Sequence, residues 1–175
     1  MTTIVATREW MAADQRATDD GPLCHVKKLH YIGESIFGMA GDCHAAMVVL
    51  RWLETKRRDP KALYEMFGEK DISWRYELIL LELSHEGLAL WNGWGVRLPI
   101  LDHSYAIGTG SHAALAALDR GASPEECIQQ AAKRDQCTGV FKEPEVLHLL
   151  PRDEPPKKRP RKDTKKVSID TKEFY

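Results

Sequence analysis

Hairpin patterns and helix patterns occur in separate blocks along this sequence, and their order restricts the fold more than any other feature. Thr2 to Thr7 and Trp10 to Thr18 are short, apolar and rich in β-branched or aromatic residues, with a charged turn between them. Such runs predict a hairpin. Further strands are predicted at His25 to Ile32 and at Ser35 to Ala40.

Two helix patterns follow this first block of strands. Apolar residues recur at helical spacing between Asp42 and Arg57, which predicts an amphipathic helix there. Asp59-Pro60 then supplies an N-cap and a first-turn proline. These two residues predict a second, short helix that ends near Phe67 and Gly68.

The second half of the chain begins again with strand patterns. Trp74 to Ser84 and Leu88 to Trp91 are apolar runs separated by a glycine-containing turn, so we expect an antiparallel pair. A short strand is predicted at Tyr105 to Ile107, and a last one near Val146 to Leu149.

Two more helices are predicted between those last strands. His112 to Arg120 is alanine-rich and is closed by a glycine. Ser123 and Glu126 form a capping box around a proline, so a helix should run from there to Arg134. Separate blocks of hairpins and helices predict an α+β fold in which sheet packs on sheet and helices lie outside.

Charge divides the 175-residue chain into two parts. Residues 1–150 carry a net charge of −5, whereas residues 151–175 carry +4 and lack apolar periodicity. The sequence therefore predicts a globular domain over 1–150 and a flexible basic tail over 151–175. A basic run can contact nucleic acid or an acidic partner, or it can simply keep a protein soluble, and we favour the second interpretation.

Composition points to a protein outside membranes. With 43% hydrophobic and 29% charged residues, no apolar run reaches the ~20 residues of a bilayer helix. Charges interrupt the first apolar run, so we expect no secretory signal. The four cysteines show no CxxC spacing, which indicates reduced thiols. We therefore expect a cytoplasmic protein.

Several familiar site motifs are incomplete in this chain. His85-Glu86 begins like a zinc-protease motif, but the second histidine is missing. Residues 108–113 match the glycine pattern of a dinucleotide fold, yet the helix after them leads to another helix and not to a strand with an acidic end. We therefore predict neither a metal site nor a cofactor.

The start of the chain offers a different chemistry. Thr2 follows Met1, and removal of that methionine would leave Thr2 with a free α-amine beside its own hydroxyl. An α-amine has a pKa of about 7.7 to 8.0, so its neutral form can accept the hydroxyl proton near pH 7. Many proteins begin with Met-Thr, so this feature needs support from other residues.

Six short blocks supply that support, because they occur in the same order as in a known family. They are Thr2-Thr3-Ile4-Val5, Ala13-Asp14-Gln15-Arg16-Ala17-Thr18, Val26-Lys27-Lys28-Leu29, Gly38-Met39-Ala40-Gly41, Ile107-Gly108-Thr109-Gly110 and Arg134-Asp135-Gln136-Cys137-Thr138-Gly139. The sequence resembles the proteasome β subunits and the bacterial heat-shock proteasome-like peptidase, which are N-terminal nucleophile hydrolases. The resemblance implies a four-layer αββα sandwich.

The resemblance also implies a set of catalytic roles. Thr2 would be the nucleophile, Lys28 the essential lysine held by Asp14, and Gly41 the donor to the oxyanion. Asp135 and Thr138, with Thr109 or Ser111, would orient the terminal amine. Threonine replaces the family's serine in the last two blocks, and both replacements keep a hydroxyl.

Other matched positions concern the substrate. The positions that line the family's specificity pocket are occupied here by Ala17, Thr18, Val26, Met39 and Cys43. Their mostly apolar character implies a hydrophobic residue before the cleaved bond, although such residues also serve as plain core. Asp42 stands where many relatives have a second glycine, and we interpret it as the N-cap of the following helix.

Assembly follows only from the resemblance. It implies a homo-oligomer of two stacked rings of six or seven subunits, with an ATP-driven unfoldase as partner and unfolded polypeptides as substrates. The predicted function is a threonine-type endopeptidase, activated by removal of Met1 alone. Two alternatives stay open, an amidohydrolase that acts on a small molecule and a catalytically silent ring subunit.

Overall fold

The computed structural model describes residues 2–17, 24–55, 59–67 and 78–151. The strands within these ranges are β1 (Thr3–Thr7), β2 (Trp10–Ala13), β3 (Arg16–Ala17), β4 (Cys24–His25), β5 (Leu29–Ile32), β6 (Ser35–Ala40), β7 (Ile79–Ser84), β8 (Gly87–Asn92), β9 (Arg97–Ile100), β10 (Ser104–Gly108) and β11 (Glu145–His148). The helices are α1 (Cys43–Glu54), α2 (Pro60–Phe67), α3 (Ser111–Leu118) and α4 (Pro124–Arg134).

The strands form two antiparallel sheets and one small hairpin. The first sheet has the order β10-β1-β2-β11, and the second has the order β5-β6-β7-β8-β9. Strand β1 lies inside the first sheet, where Thr3 pairs with Gly108 of β10 and Ile4 pairs with Ala13 of β2. The start of the chain is therefore held between two strands, while β3 and β4 pair separately beside it.

The two sheets pack face to face through their apolar side chains. Ile4 and Met11 of the first sheet are fully buried against Ile36 and Leu81 of the second. Gly38 of β6 allows the close approach, because a Cβ atom there would lie 2.8 Å from the Met11 sulfur. This inner layer fixes β1 relative to β6, the strand that leads into α1.

Helices cover both outer faces. Helices α1 and α2 pack on the five-stranded sheet around Trp52 and Phe37, and α3 and α4 pack on the four-stranded sheet around Val5 and Ile128. The layer order is helices, sheet, sheet, helices. The predicted α+β fold with a four-layer αββα sandwich is therefore confirmed.

Most predicted elements are confirmed, including the capping box that begins α4 at Ser123. The second predicted strand ends early, because β2 stops at Ala13 and the chain pairs again only at β3. The strand predicted from His25 is divided into β4 and β5. The backbone between them bonds elsewhere, since the N–H of Val26 donates to the Gln15 carbonyl.

Some predictions fall outside the described residues. They are Thr18 and the ranges 56–58, 68, 74–77 and 152–175. The division into a globular domain and a basic tail stays a prediction for that reason. Among the described helices, none is long and apolar enough to span a membrane.

Candidate active site

Asp14 and Lys28 form a buried ion pair, which we call the lysine arm. The Lys28 Nζ donates to Asp14 Oδ1 at 2.8 Å, and the two side chains are 6% and 0% exposed. The same ammonium donates to the Arg16 carbonyl at 2.6 Å. Burial lowers the pKa of the Lys28 ammonium below its ordinary value of 10.5, and attraction by the Asp14 carboxylate only partly offsets this effect.

The end of strand β2 explains why a carboxylate can be buried here. The second oxygen of Asp14, Oδ2, accepts N–H groups from Arg16 and Gly139, each at 3.1 Å. A buried charge needs such partners, because each unmet hydrogen bond would cost desolvation energy. The chain leaves the β ladder after Ala13, and backbone N–H groups donate to Asp14 there.

The lysine arm lies next to the start of the chain. The N–H of Thr3 donates to Asp14 Oδ1 at 2.8 Å, so the Lys28 ammonium and the Thr3 amide share one oxygen atom. Thr2 is 6% exposed, and its carbonyl accepts the N–H of Thr109 at 2.9 Å. Lys28 therefore lies beside the Thr2–Thr3 peptide and points away from solvent.

Thr109, Asp135 and Thr138 form a second cluster, which we call the hydroxyl arm. The hydroxyls of Thr109 and Thr138 donate to Asp135 Oδ2 at 2.5 and 2.6 Å, and the Cys137 N–H donates to Oδ1 at 3.1 Å. Partial burial opposes ionisation of Asp135, but these hydrogen bonds outweigh it and hold the pKa of the carboxyl below its ordinary value of 3.8.

The hydroxyl arm also reaches Thr3. The Thr3 and Thr138 hydroxyl oxygens are 2.5 Å apart, and the Gly110 N–H donates to the Thr3 oxygen at 3.1 Å. Because the Thr138 proton is already donated to Asp135, the Thr3 hydroxyl must donate to Thr138. Gly110 is required here, since a Cβ atom would collide with the Thr3 oxygen.

Gly41 follows strand β6 and precedes α1. Its φ of +118° is a conformation that favours glycine, and Gly41 is exposed. Asp42 is the N-cap of α1, because its Oδ1 accepts the Ala45 N–H at 2.7 Å. The interpretation of Asp42 as a cap is confirmed. The role of Gly41 as donor to an oxyanion stays a prediction.

Comparisons with known structures reveal the fold to which this geometry belongs. Thiobacillus denitrificans BPH in complex with epoxomicin matches with a TM-score of 0.62 and 17% identity, over 86% of this chain and 99% of that one. HslV from Trypanosoma brucei matches with a TM-score of 0.57 and 21% identity, over 84% and 98%. The chain has the N-terminal nucleophile hydrolase fold. No protein-family model matches the sequence, and neither does any curated protein.

A further structure of T. denitrificans BPH gives the same result, with a TM-score of 0.59 and 15% identity over 86% of this chain and 98% of that one. The matched chains are covered almost completely. The similarity therefore extends over most of this chain and nearly all of each matched chain.

Five of the predicted catalytic residues lie together around the start of β1. Hydrogen bonds connect Asp14, Lys28, Asp135, Thr138 and Thr109 to one another or to residues Thr2 and Thr3. Ser111 was the alternative to Thr109 and begins α3; among the described residues, it is Thr109 that bonds Asp135.

The predicted specificity residues are placed in different surroundings. Ala17 and Val26 are half-buried near the β3–β4 hairpin, and Cys43 is exposed at the start of α1. Met39 is buried in the core between the five-stranded sheet and α1. Thr18 lies outside the described residues. The assignment of a substrate pocket to these positions stays a prediction.

Sequence reasoning missed three residues that organise the site. Thr3 joins the two arms. Arg16 contacts the lysine arm and the Gln136 carbonyl in the loop that carries the hydroxyl arm. Glu145 of β11 accepts the backbone N–H groups of Lys28 and Leu29 at 2.9 and 3.2 Å. Thr3 and Arg16 stand inside matched blocks, so their position was the only available signal. No group of three His, Cys, Asp or Glu in the described part of the chain is placed to hold a metal ion.

Proposed function

We propose that this protein is a threonine peptidase whose nucleophile is Thr2, freed by removal of the residue before it. One observation carries the proposal: the buried Lys28 ammonium and the Thr3 N–H donate to the same oxygen of Asp14. A positive charge is thereby held beside the α-amine and hydroxyl that Thr2 would present. Few structural roles require a buried lysine at that place, because burying a charge is costly.

The first step is attack of the Thr2 hydroxyl oxygen on a substrate carbonyl carbon. The α-amine of Thr2 accepts the hydroxyl proton, directly or through one water molecule. Lys28 favours this step in two ways. Its charge disfavours protonation of the neighbouring amine beforehand, and it stabilises the negative charge that develops on the Thr2 oxygen.

The remaining steps return the proton and release both products. The carbonyl oxygen becomes an oxyanion that the Gly41 N–H can receive, at the end where α1 begins. The tetrahedral intermediate then collapses, the C–N bond breaks, and the protonated α-amine gives its proton to the leaving amine. Water finally attacks the ester on Thr2, again with the α-amine as base, which regenerates the hydroxyl.

The solved neighbours support this chemistry by analogy. The BPH chain that matches 86% of this chain was solved in complex with epoxomicin. The HslV and BPH structures share the fold at low sequence identity, so activity is transferred here only as a proposal. The two arms around Thr3 are the independent support from this chain itself.

A peptide epoxyketone tests the proposal, because closure of its adduct ring needs a hydroxyl and a free amine on one residue. Wild-type protein and Thr2→Ala, both checked by intact mass for the processed N-terminus, are incubated with the probe. We expect one adduct, mapped to Thr2, and none on Thr2→Ala. Cleavage of an unfolded polypeptide should be lost in the same variant. A processed wild-type protein that forms no adduct contradicts the proposal.

We also propose that the peptidase assembles into two stacked rings of six or seven subunits and works with an ATP-driven unfoldase. The family resemblance and the shared fold support the ring, in which sites would face an inner chamber. Particle mass in solution tests it, since a double ring is twelve to fourteen times heavier than the 19.9 kDa chain. A monomeric or dimeric particle would contradict the ring and favour the small-molecule amidohydrolase.

A further inference from the structure

Arg16 contacts the lysine arm with its main chain and the loop of the hydroxyl arm with its side chain. Its carbonyl accepts the Lys28 Nζ at 2.6 Å, and its N–H donates to Asp14 Oδ2 at 3.1 Å. Its guanidinium extends in another direction and donates to the Gln136 carbonyl at 2.6 Å. The main chain and the side chain of Arg16 therefore act on different parts of the site.

The guanidinium packs against the loop from Asp135 to Gly139 and also donates a hydrogen bond to it. A Cβ atom at Gly139 would lie 2.6 Å from Nε and 3.0 Å from Cζ of Arg16, so the side chain packs directly on that glycine. The Gly139 carbonyl accepts N–H groups from Gln15 and Arg16, at 2.9 and 3.1 Å. The guanidinium therefore contacts the backbone of this loop at both Gln136 and Gly139.

We propose that the Arg16 side chain is a positioning residue that keeps the hydroxyl arm in register with the lysine arm. The inference rests on the proposed peptidase function for its catalytic consequence, but its structural part stands on the contacts alone. The Gln136 carbonyl lies between Asp135 and Thr138 in the chain. Fixing that carbonyl therefore fixes the acid and the hydroxyl that contact Thr109 and Thr3.

Substitution isolates the side chain, because the backbone contacts of Arg16 with Lys28 and Asp14 persist in any variant. In Arg16→Met, the donor to Gln136 is lost while an unbranched apolar stem remains. A misplacement of about 1 Å in a catalytic group can lower turnover up to ~100-fold. We expect kcat to fall ~10- to 100-fold with KM changed less than about twofold, since no substrate contact is removed.

Arg16→Lys and Arg8→Met provide the matched variants. Lysine at position 16 keeps a donor that can reach the Gln136 carbonyl, so it should recover part of kcat. Arg8 donates from its guanidinium to the Leu101 carbonyl at 3.4 Å, in the turn between β1 and β2. It is the same kind of contact outside the site, and Arg8→Met should leave kcat and KM unchanged.

Backbone hydrogen exchange separates this inference from the proposed function, because it requires no activity. Arg16→Met should exchange faster at residues 136–139 than wild type, whereas Arg8→Met should not. If wild type cleaves nothing, faster exchange still supports the structural role of Arg16 and only the peptidase proposal fails. Wild-type exchange at 136–139 in Arg16→Met overturns the inference, and so does faster exchange with unchanged kcat in an active enzyme.

Discussion

The two arms of the site reach the same residue by different means. The lysine arm holds the Thr3 N–H with a fully buried carboxylate that is balanced by an ammonium. The hydroxyl arm holds the Thr3 side chain through the Thr138 hydroxyl, and its acid, Asp135, is only partly buried. One arm consists of charges sealed from water, and the other consists of neutral donors around one charge.

Because of this difference, we expect the two arms to have different roles. Two opposite charges attract each other much more strongly in a buried site than in water. Removing one of them leaves the other buried and unpaired. Hydroxyl groups carry no net charge, but each can donate one hydrogen bond and accept others, so they link neighbouring groups in a defined arrangement. The lysine arm should therefore set the charge around Thr2, whereas the hydroxyl arm should set its orientation.

The largest effect is expected when the lysine arm is broken. Lys28→Met keeps most of the side-chain length but leaves Asp14 buried without its ammonium. We expect the free energy of unfolding to fall by ~3–5 kcal/mol. Peptide cleavage should fall by ~100- to 1000-fold, the range for loss of one stabilising group at a developing charge. Denaturant unfolding and a peptidase assay on the folded fraction measure the two quantities.

Arg97→Met is the matched control for this variant. Arg97 Nε donates to the buried carboxylate of Glu82 at 2.6 Å in the five-stranded sheet, away from Thr2. Its loss should also destabilise the fold, by less than loss of Lys28, because the Trp91 Nε1–H still donates to Glu82 at 2.8 Å. Activity per folded molecule should stay at the wild-type level. Equal loss of activity in both variants would mean that stability alone explains the lysine effect.

The layered fold was predictable because the hydrophobic patterns of strands and those of helices occupy separate blocks of the sequence. Helices α1, α2 and α4 have caps that the sequence displays, at Asp42, Asp59-Pro60 and Ser123. Strand β9 was missed because Pro99 argues against a strand. The structure resolves this conflict by placing β9 at the sheet edge, paired with β8 on one side only.

The site was only partly predictable, and the missing parts are backbone contacts. Asp14 and Lys28 could be paired through the family resemblance. The carbonyls of Arg16 and Gln136 are bonding groups that every residue carries, so no sequence pattern identifies them. Thr3 was missed for a related reason. Its role depends on the register between β1 and β10, which sets Gly110 against it, and on the loop after α4, which brings Thr138 to it.

A smaller effect is expected when the charge of the hydroxyl arm is removed. Asp135→Asn keeps the size of the side chain and one acceptor oxygen, but it weakens the hydrogen bonds from Thr109 and Thr138. We expect cleavage to fall ~10- to 100-fold through misorientation. The free energy of unfolding should change far less than in Lys28→Met, because Asp135 is partly exposed. A loss of stability as large as that of Lys28→Met would erase the distinction between the arms.

The link between Thr3 and the hydroxyl arm can be removed without changing shape. Thr3→Val removes the hydroxyl that donates to Thr138 and accepts from the Gly110 N–H, whereas Thr3→Ser keeps it. One such hydrogen bond is worth about 1 kcal/mol, so cleavage should fall roughly fivefold in Thr3→Val. Thr3→Ser should stay close to wild type. The quantity to compare is kcat. Equal kcat values for Thr3→Val and Thr3→Ser would show that the Thr3 hydroxyl does not orient Thr2.

The smallest effect is the dependence of stability on pH. The hydroxyl arm should change stability in acid, and the lysine arm should change it in alkali. The pKa of Asp135 is lowered in the fold, so its contribution is complete above about pH 4 and is lost as pH falls through that lowered pKa. The pKa of Lys28 is lowered as well, so the unfolded chain binds this proton more strongly than the folded protein does. Stability therefore rises with pH here too, between the lowered pKa of Lys28 and 10.5. Thermal unfolding across pH should show wild type and Asp135→Asn converging only in acid. Wild type and Lys28→Met should change relative to each other only in alkali, and a shared acid transition would mean that the charges of the two arms are coupled.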